Sequence, residues 1–387
     1  MGHGKVYWWE PPEPVQGVSM SRLNLGKKGE VIHFFDQRPR KEPDSLFGRD
    51  EEVEKLSRAL ESRSWVAVLG PRMVGKTSLA WAGANAFARK HGYRVVFVDL
   101  RDTDTFRGAT EKILGRLPES TLGRLSKHIS EVSTSAFGAG VAVKLKENTS
   151  ARQALVDALS TLRDTVIILD EVQNIQQGVP HFLKALGSIF NENDSLLLIF
   201  TGSYAGVVRK LFESTHEDPL FGRMPIEIRL SPWSEDVAEN FLETGFKRLG
   251  IAYTRGELRE VIRKLGTLPG WLNLYGVRRY IERDHERALR TATVVAVKEA
   301  QKELEHLLEG RTPKARAVIK LLAFGATWGE LLETGITKGA LSHLLAILTD
   351  ELFILDKDES GVYYFSDPIY RRAAMGIPIV EKKSNLG

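Results

Sequence analysis

Apolar and polar positions divide the 387-residue chain into three regimes. Between about residues 44 and 230, short runs rich in apolar residues, unbroken in the central ones, alternate with longer amphipathic stretches. The runs are Trp65-Val66-Ala67-Val68-Leu69, residues 94–100, Thr165-Val166-Ile167-Ile168-Leu169, Leu196-Leu197-Leu198-Ile199-Phe200 and Ile226-Glu227-Ile228-Arg229-Leu230. Central runs of this length, without a polar face, predict strands buried on both sides of a parallel sheet. The intervening stretches predict helices on both faces. A first helix is expected over residues 53–61, with Asp50 as its N-cap and acidic residues in its first turn. Residues 129–147 alternate weakly, with Val141, Val143 and Leu145 set against Ala142, Lys144 and Lys146, and read as a β-hairpin or a mobile insertion.

After Leu230 the strand pattern stops. Residues 235–249, 255–265, 271–283 and 287–308 carry helical periodicity, broken at Gly266-Thr267-Leu268-Pro269-Gly270, and form a small helical domain. Thr312-Pro313 opens a further unit. It comprises a helix over 314–324, a short helix over 328–333, a helix over 338–350 capped by Thr337, and a hairpin (352–355 with 362–365) turning at Asp358-Glu359-Ser360-Gly361. Three helices and a two-stranded wing make a winged helix. Residues 1–43 are rich in Pro, Gly and charge and read as an extended arm, in which Val31-Ile32-His33-Phe34-Phe35 is a strand or a docking segment. The expected organisation is thus 1–43 arm, 44–230 α/β core, 231–310 helical domain, and 311–387 winged helix and tail.

The chemistry lies at the ends of the strands. Gly70-Pro71-Arg72-Met73-Val74-Gly75-Lys76-Thr77 fits the pattern G-x-x-x-x-G-K-[ST], placed between a predicted strand and a helix that opens at Ser78. Glycines here turn successive backbone N–H groups toward phosphate oxygens. The lysine reaches the β- and γ-phosphates, the threonine hydroxyl takes a place on Mg²⁺, and the helix start adds positive potential. About ninety residues on, the third run ends in Asp170-Glu171. Alone, such a pair would read as a solvated strand end. After a phosphate loop it assigns Asp170, with Thr77, to the metal, and Glu171 to polarising the attacking water. The fourth run ends in Thr201-Gly202-Ser203, and Thr201 or Ser203 is expected to sense the γ-phosphate.

Composition narrows the class. With 42% hydrophobic and 27% charged residues the chain is expected to be globular and soluble. No apolar stretch approaches ~20 residues, so no membrane span is expected, and Met1-Gly2-His3-Gly4-Lys5 opens without the apolar core of a secretory signal. Cysteine is absent, which removes disulfides and thiolate metal sites and fits a cytoplasmic protein. Absent cysteine with few Met, Asn and Gln also fits a thermophile. A net charge of +4 is too small to argue nucleic-acid binding.

In order along the chain, Phe47-Gly48-Arg49-Asp50-Glu51, the phosphate loop, Leu169-Asp170-Glu171, Thr201-Gly202-Ser203, Ser231-Pro232-Trp233, Gly266-Thr267-Leu268-Pro269 and Tyr364-Phe365-Ser366-Asp367-Pro368 resemble the archaeal ATPase family of STAND/AAA+-related P-loop NTPases, which is similar to origin-recognition initiator ATPases. The resemblance spans roughly residues 44–375. It implies an AAA+-like sheet of order 5-1-4-3-2, a helical lid and a winged helix, with ATP or ADP and Mg²⁺ as ligands. It places Phe47, Gly48 and Arg49 near the adenine and Pro269 over the base from the lid. It also matches Arg223 to an arginine that reaches a γ-phosphate, in its own subunit or across a self-association interface. Two functions follow: an ATP-driven switch in which the winged helix packs on the core, and a DNA-associated ATPase that uses the winged helix as a reader. The helix over 338–350 carries only Lys338 and His343 as basic groups, sparse for DNA, although Arg371-Arg372 lie nearby.

Overall fold

The computed structural model describes residues 34–134, 141–202, 208, 210–211, 220 and 222–379, and all elements below belong to the unit Phe35–Gly387. Ser203, most of the N-terminal arm, including Val31 to His33, and the tail from residue 380 lie outside the described residues.

The chain enters through helix α1 (Asp50–Glu61) and strand β1 (Val66–Leu69), then α2 (Lys76–His91), β2 (Arg94–Asp99), α3 (Phe106–Leu114) and α4 (Glu119–Arg124). A hairpin, β3 (Ile129–Thr134) and β4 (Val141–Leu145), precedes α5 (Ala151–Leu159), β5 (Thr165–Asp170), α6 (Val179–Glu192), β6 (Leu196–Gly202) and β7 (Ile226–Arg229). Strands β2-β5-β6-β1-β7, in that order, form one parallel sheet. Every residue of β1, β5 and β6 is buried, as their uninterrupted apolar runs require, whereas the edge strands β2 and β7 leave several residues partly or fully exposed. Parallel pairing gathers the carboxyl ends of β1, β5 and β6 at one edge, which carries Asp170, Glu171 and Thr201 beside the loop that follows β1.

Asp50 is not the N-cap of α1. Arg49 takes that place, and Asp50, Glu51 and Glu52 fill the first turn, where their charge meets the positive helix end. The hairpin is fastened to α3: Val141 N–H donates to Gly115 O at 3.0 Å and Leu145 N–H to the Glu111 carboxylate at 2.9 Å.

Helices α7 (Glu235–Leu249), α8 (Arg255–Leu265), α9 (Pro269–Glu282) and α10 (His285–Leu307) follow the sheet. A reciprocal cap between Thr254 and Glu257 starts α8. Pro269 occupies the first turn of α9, as the break at Gly266 and the proline itself lead one to expect, and its missing N–H costs nothing there. Phe35 is buried against α7 and α9: its ring lies 5.4 Å from that of Phe241, and a side chain at Gly276 would meet it.

The C-terminal region holds α11 (Pro313–Leu322), β8 (Ala326–Thr327), α12 (Trp328–Glu333), α13 (Lys338–Ala346), β9 (Leu355–Lys357), β10 (Val362–Phe365) and α14 (Pro368–Met375). Three antiparallel strands run in the order β8-β10-β9. The first hairpin strand begins at Leu355 rather than at 352. The end of α13 unwinds through a wider turn (Ile347–Glu351), and Phe353 adopts a φ of 56°, so the chain is still turning there. The sequence pattern missed β8 and α14. Asp367 caps α14 through the N–H groups of Ile369 and Tyr370. Among the described residues no helix is long and apolar enough to cross a membrane.

Candidate functional site

The loop from Gly70 to Thr77 links β1 to α2. Gly70 (φ 145°) and Gly75 (φ 100°) take conformations that side chains resist, and a Cβ at Gly70 would lie 2.5 Å from the Leu230 carbonyl oxygen. Met73, at φ 65°, is held there without being glycine. Pro71, Val74 and Lys76 are buried, while Arg72 and Met73 are exposed on the rim. Lys76 Nζ donates to the carbonyls of Gly70 and Pro71, each at 2.9 Å. Burial pulls its ammonium below the ordinary lysine range, against the opposing pull of Glu171, Glu303 and Asp170. The Ser78 hydroxyl accepts the Arg40 N–H at 3.1 Å.

Beneath the loop, two hydroxyls close on one carboxylate. Thr77 Oγ1 donates to Asp170 Oδ1 at 2.8 Å, and Thr201 Oγ1 donates to the same oxygen. Thr201 then accepts the Glu171 N–H at 3.2 Å. The sheet sets this up: β6 lies between β1 and β5, with Thr201 paired to Val68. Burial raises the pKa of Asp170, and the hydrogen bonds from Thr201 and Thr77 oppose that rise. Glu171 follows in a left-handed conformation (φ 56°, ψ 45°) that turns it off the end of β5. Its Oε2 accepts from Gln173 Nε2 at 2.5 Å, a partner the sequence did not suggest.

Arg223 stands apart. Its guanidinium lies 5.4 Å from the centroid of the Phe190 ring, and Phe190 packs edge-on against Trp65, immediately before β1. Arg223 therefore sits at the amino-terminal edge of the sheet. The phosphate loop lies at the carboxyl-terminal edge, a strand length of roughly 13 Å away at ~3.3 Å per residue. In this conformation the geometry removes a reach to a phosphate on its own loop.

Phe47, Gly48 and Arg49 form a wall with the start of the helical region. Phe47 packs edge-on against Trp233 and Phe241, at 5.9 and 5.3 Å. Arg49 is buried, donates to the Ser231 carbonyl at 2.6 Å and pairs with Glu52 at 2.8 Å. Trp233 N–H donates to Thr267 O, two residues before Pro269, and Gly270 N–H donates to Met73 O at 2.8 Å. The corner at Pro269 thus abuts the loop directly.

Two further groups reach the loop from distant sequence. Glu303 of α10 lies 3.8 Å from Arg72, and its carboxylate accepts a hydrogen bond from the Tyr370 hydroxyl of α14. Burial raises the Glu303 pKa, opposed first by the Arg72 charge. Nothing in the sequence marked either residue: each occupies one position on an amphipathic helix, and 67 residues separate them.

A family model described as an ATPase domain predominantly from Archaea matches residues 46–274. The structure is similar to the Walker-type ATPase PABY2304 of Pyrococcus abyssi, at 23% identity and a TM-score of 0.70, over 88% of this chain and 99% of that one. It is also similar to the ORC2 protein of Aeropyrum pernix, solved in ADPNP-ADP complexes, at 16% identity and a TM-score of 0.58, over 89% of this chain and 97% of that one. At these identities the likeness is one of fold. No curated protein matches the sequence.

Proposed function

Because the chain belongs to the family of ATPase domains found predominantly in Archaea, we propose that it binds ATP with Mg²⁺, hydrolyses it, and uses the nucleotide state to set the arrangement of an α/β core (44–230), a helical lid (231–310) and a C-terminal winged helix (311–387). The observation that carries this reading is the hydrogen-bonded set Thr77, Asp170, Thr201 and Glu171, where the start of α2 meets the ends of β5 and β6. Thr77 and Asp170 would hold Mg²⁺, which supplies positive charge to the phosphates. One carboxylate and one hydroxyl suffice, since Mg²⁺ in such sites takes its other ligands from phosphate and water. Lys76 now spends its donors on its own loop's carbonyls, and phosphate oxygens are stronger acceptors for an ammonium. Glu171 accepts the proton of the attacking water, and Thr201 fixes the backbone from which Glu171 projects. Phe47 to Arg49 and Pro269 would flank the base. Arg223 would act across an interface between copies of the chain.

The switch reading draws on contacts that bind the loop to both C-terminal regions: Gly270 to Met73, and Arg72 to Glu303 to Tyr370. The DNA reading has less to stand on. Arg371 donates to the Ala323 carbonyl and Arg372 to that of Lys264, so both guanidinium groups serve packing. Binding to duplex DNA that weakened steeply with salt would restore it.

Titration calorimetry and phosphate release test the proposal. Lys76→Ala is expected to abolish ATP binding, and Glu171→Gln to keep binding while stopping hydrolysis. Turnover per chain should rise with protein concentration if Arg223 acts in trans. Wild-type hydrolysis by Glu171→Gln would remove Glu171 as the base.

A further inference from the structure

Gln173 is the one side chain that holds the Glu171 carboxylate by hydrogen bonding among the described residues. It is placed by a single tight turn, in which Asn174 N–H returns to Glu171 O and Ile175 N–H to Val172 O, at 3.1 and 3.2 Å. An ionised carboxylate only accepts, so of the two ends of the amide only the nitrogen can face it. The amide oxygen then points the other way, where it is buried without a hydrogen-bond partner. It reaches the end of β6: a Cβ at Gly202 would lie 1.9 Å from it. A glycine directly after Thr201 is therefore what leaves room for the amide beside the site. An orphaned buried carbonyl costs free energy, and the fold retains it while fixing one oxygen of Glu171.

We propose that Gln173 is a positioning residue for hydrolysis: its amide clamps Glu171 Oε2, so that Oε1 alone is presented to the attacking water. The left-handed backbone at Glu171 aims the side chain, and Gln173 removes its remaining rotational freedom. Positioning of this kind lowers the barrier without adding to ground-state binding. The inference rests on the reading of Glu171 as the base.

Gln173→Met keeps the length of the side chain and removes the donor. Losing a hydrogen bond to a charged group is worth about 1.5–3 kcal/mol, so kcat should fall roughly 10- to 100-fold while ATP affinity, measured by titration, stays within about twofold. Gln173→Glu, which sets a second anion against Glu171, should lower kcat at least as far. Under single-turnover conditions with enzyme in excess, where the slow residual rate left to Glu171→Gln can still be read, adding Gln173→Met should cause no further loss, because Gln173 acts only through Glu171. Wild-type turnover in Gln173→Met, a fall in ATP affinity that matches the fall in turnover, or an equal fall in the Glu171→Gln background would each overturn the proposal. If instead Glu171→Gln itself turns over at the wild-type rate, the assignment of the base has failed, and the clamp fails with it.

Discussion

Asp367 shows how much a single side chain can carry at a junction. Its Oδ1 caps α14, while its Oδ2 is buried without a partner close to Gly266, at the end of α8. Burial pushes its pKa up to about 7, with only the backbone donors of Ile369 and Tyr370 and the charge of Arg372 opposing the rise. The folded state therefore holds this proton more tightly than the unfolded chain, whose Asp titrates near 4. The contribution of this group is full below pH ~4, declines as pH rises toward 7, and stays at its lower value above that. Asparagine preserves the cap and cannot titrate. In Asp367→Asn the loss of stability between pH 5 and pH 8, read from urea midpoints, should shrink by on the order of 2 kcal/mol relative to wild type. Residues of this kind divide by legibility. Lys76, Thr77 and Asp170 were readable because their spacing along the chain is itself the chemical signal. Asp367 lay within a recognised run, but its burial is a tertiary fact. Gln173 and Glu303 had no signal at all, since one hydrogen-bonding side chain near a strand end, or one acid on a helix, is common.

Among the elements, the central strands of the sheet were the most legible, because burial on both faces leaves little polar sequence to blur the run. Boundaries failed where the backbone departs from regular structure, as at the turn of Phe353 before β9, or where a strand is as short as β8. The segment leading into the core was ambiguous in sequence, and its described part docks on the helices. Asp36 N–H donates to the Asn273 side chain at 3.2 Å, and Phe35 fills the space left by Gly276 between α7 and α9. Replacing a fully buried Phe by Ala costs about 3–5 kcal/mol when the site cannot collapse. Phe35→Ala should therefore lower the thermal midpoint by several degrees. Its effect on ATP affinity should follow from loosening of α9, whose first turn holds Met73. An unchanged midpoint would show the segment to be dispensable for the packing of these helices.

At the scale of the molecule, the phosphate loop is where all three regions meet. Arg72, Glu303 and Tyr370 come from the core, from α10 and from α14, and they form one chain of contacts. Removing the negative charge while keeping the side-chain shape should favour a polyanion on the loop. Glu303→Gln is expected to bind ATP roughly tenfold more tightly, equivalent to about 1.4 kcal/mol, by calorimetric titration. Equal affinities would show that Glu303 is not coupled to the nucleotide. The carboxylate also has a second consequence, one of proton accounting. Burial already raises its affinity for a proton, and phosphates brought to the loop would raise it further. ATP binding should then be accompanied by proton uptake, visible as a binding heat that depends on the ionisation enthalpy of the buffer, and ATP affinity should fall as pH rises through the Glu303 titration. Coupling of this sort is reciprocal: protons become an effector of the nucleotide-bound form, and whatever draws Tyr370 away from Glu303 alters how readily the chain takes up both.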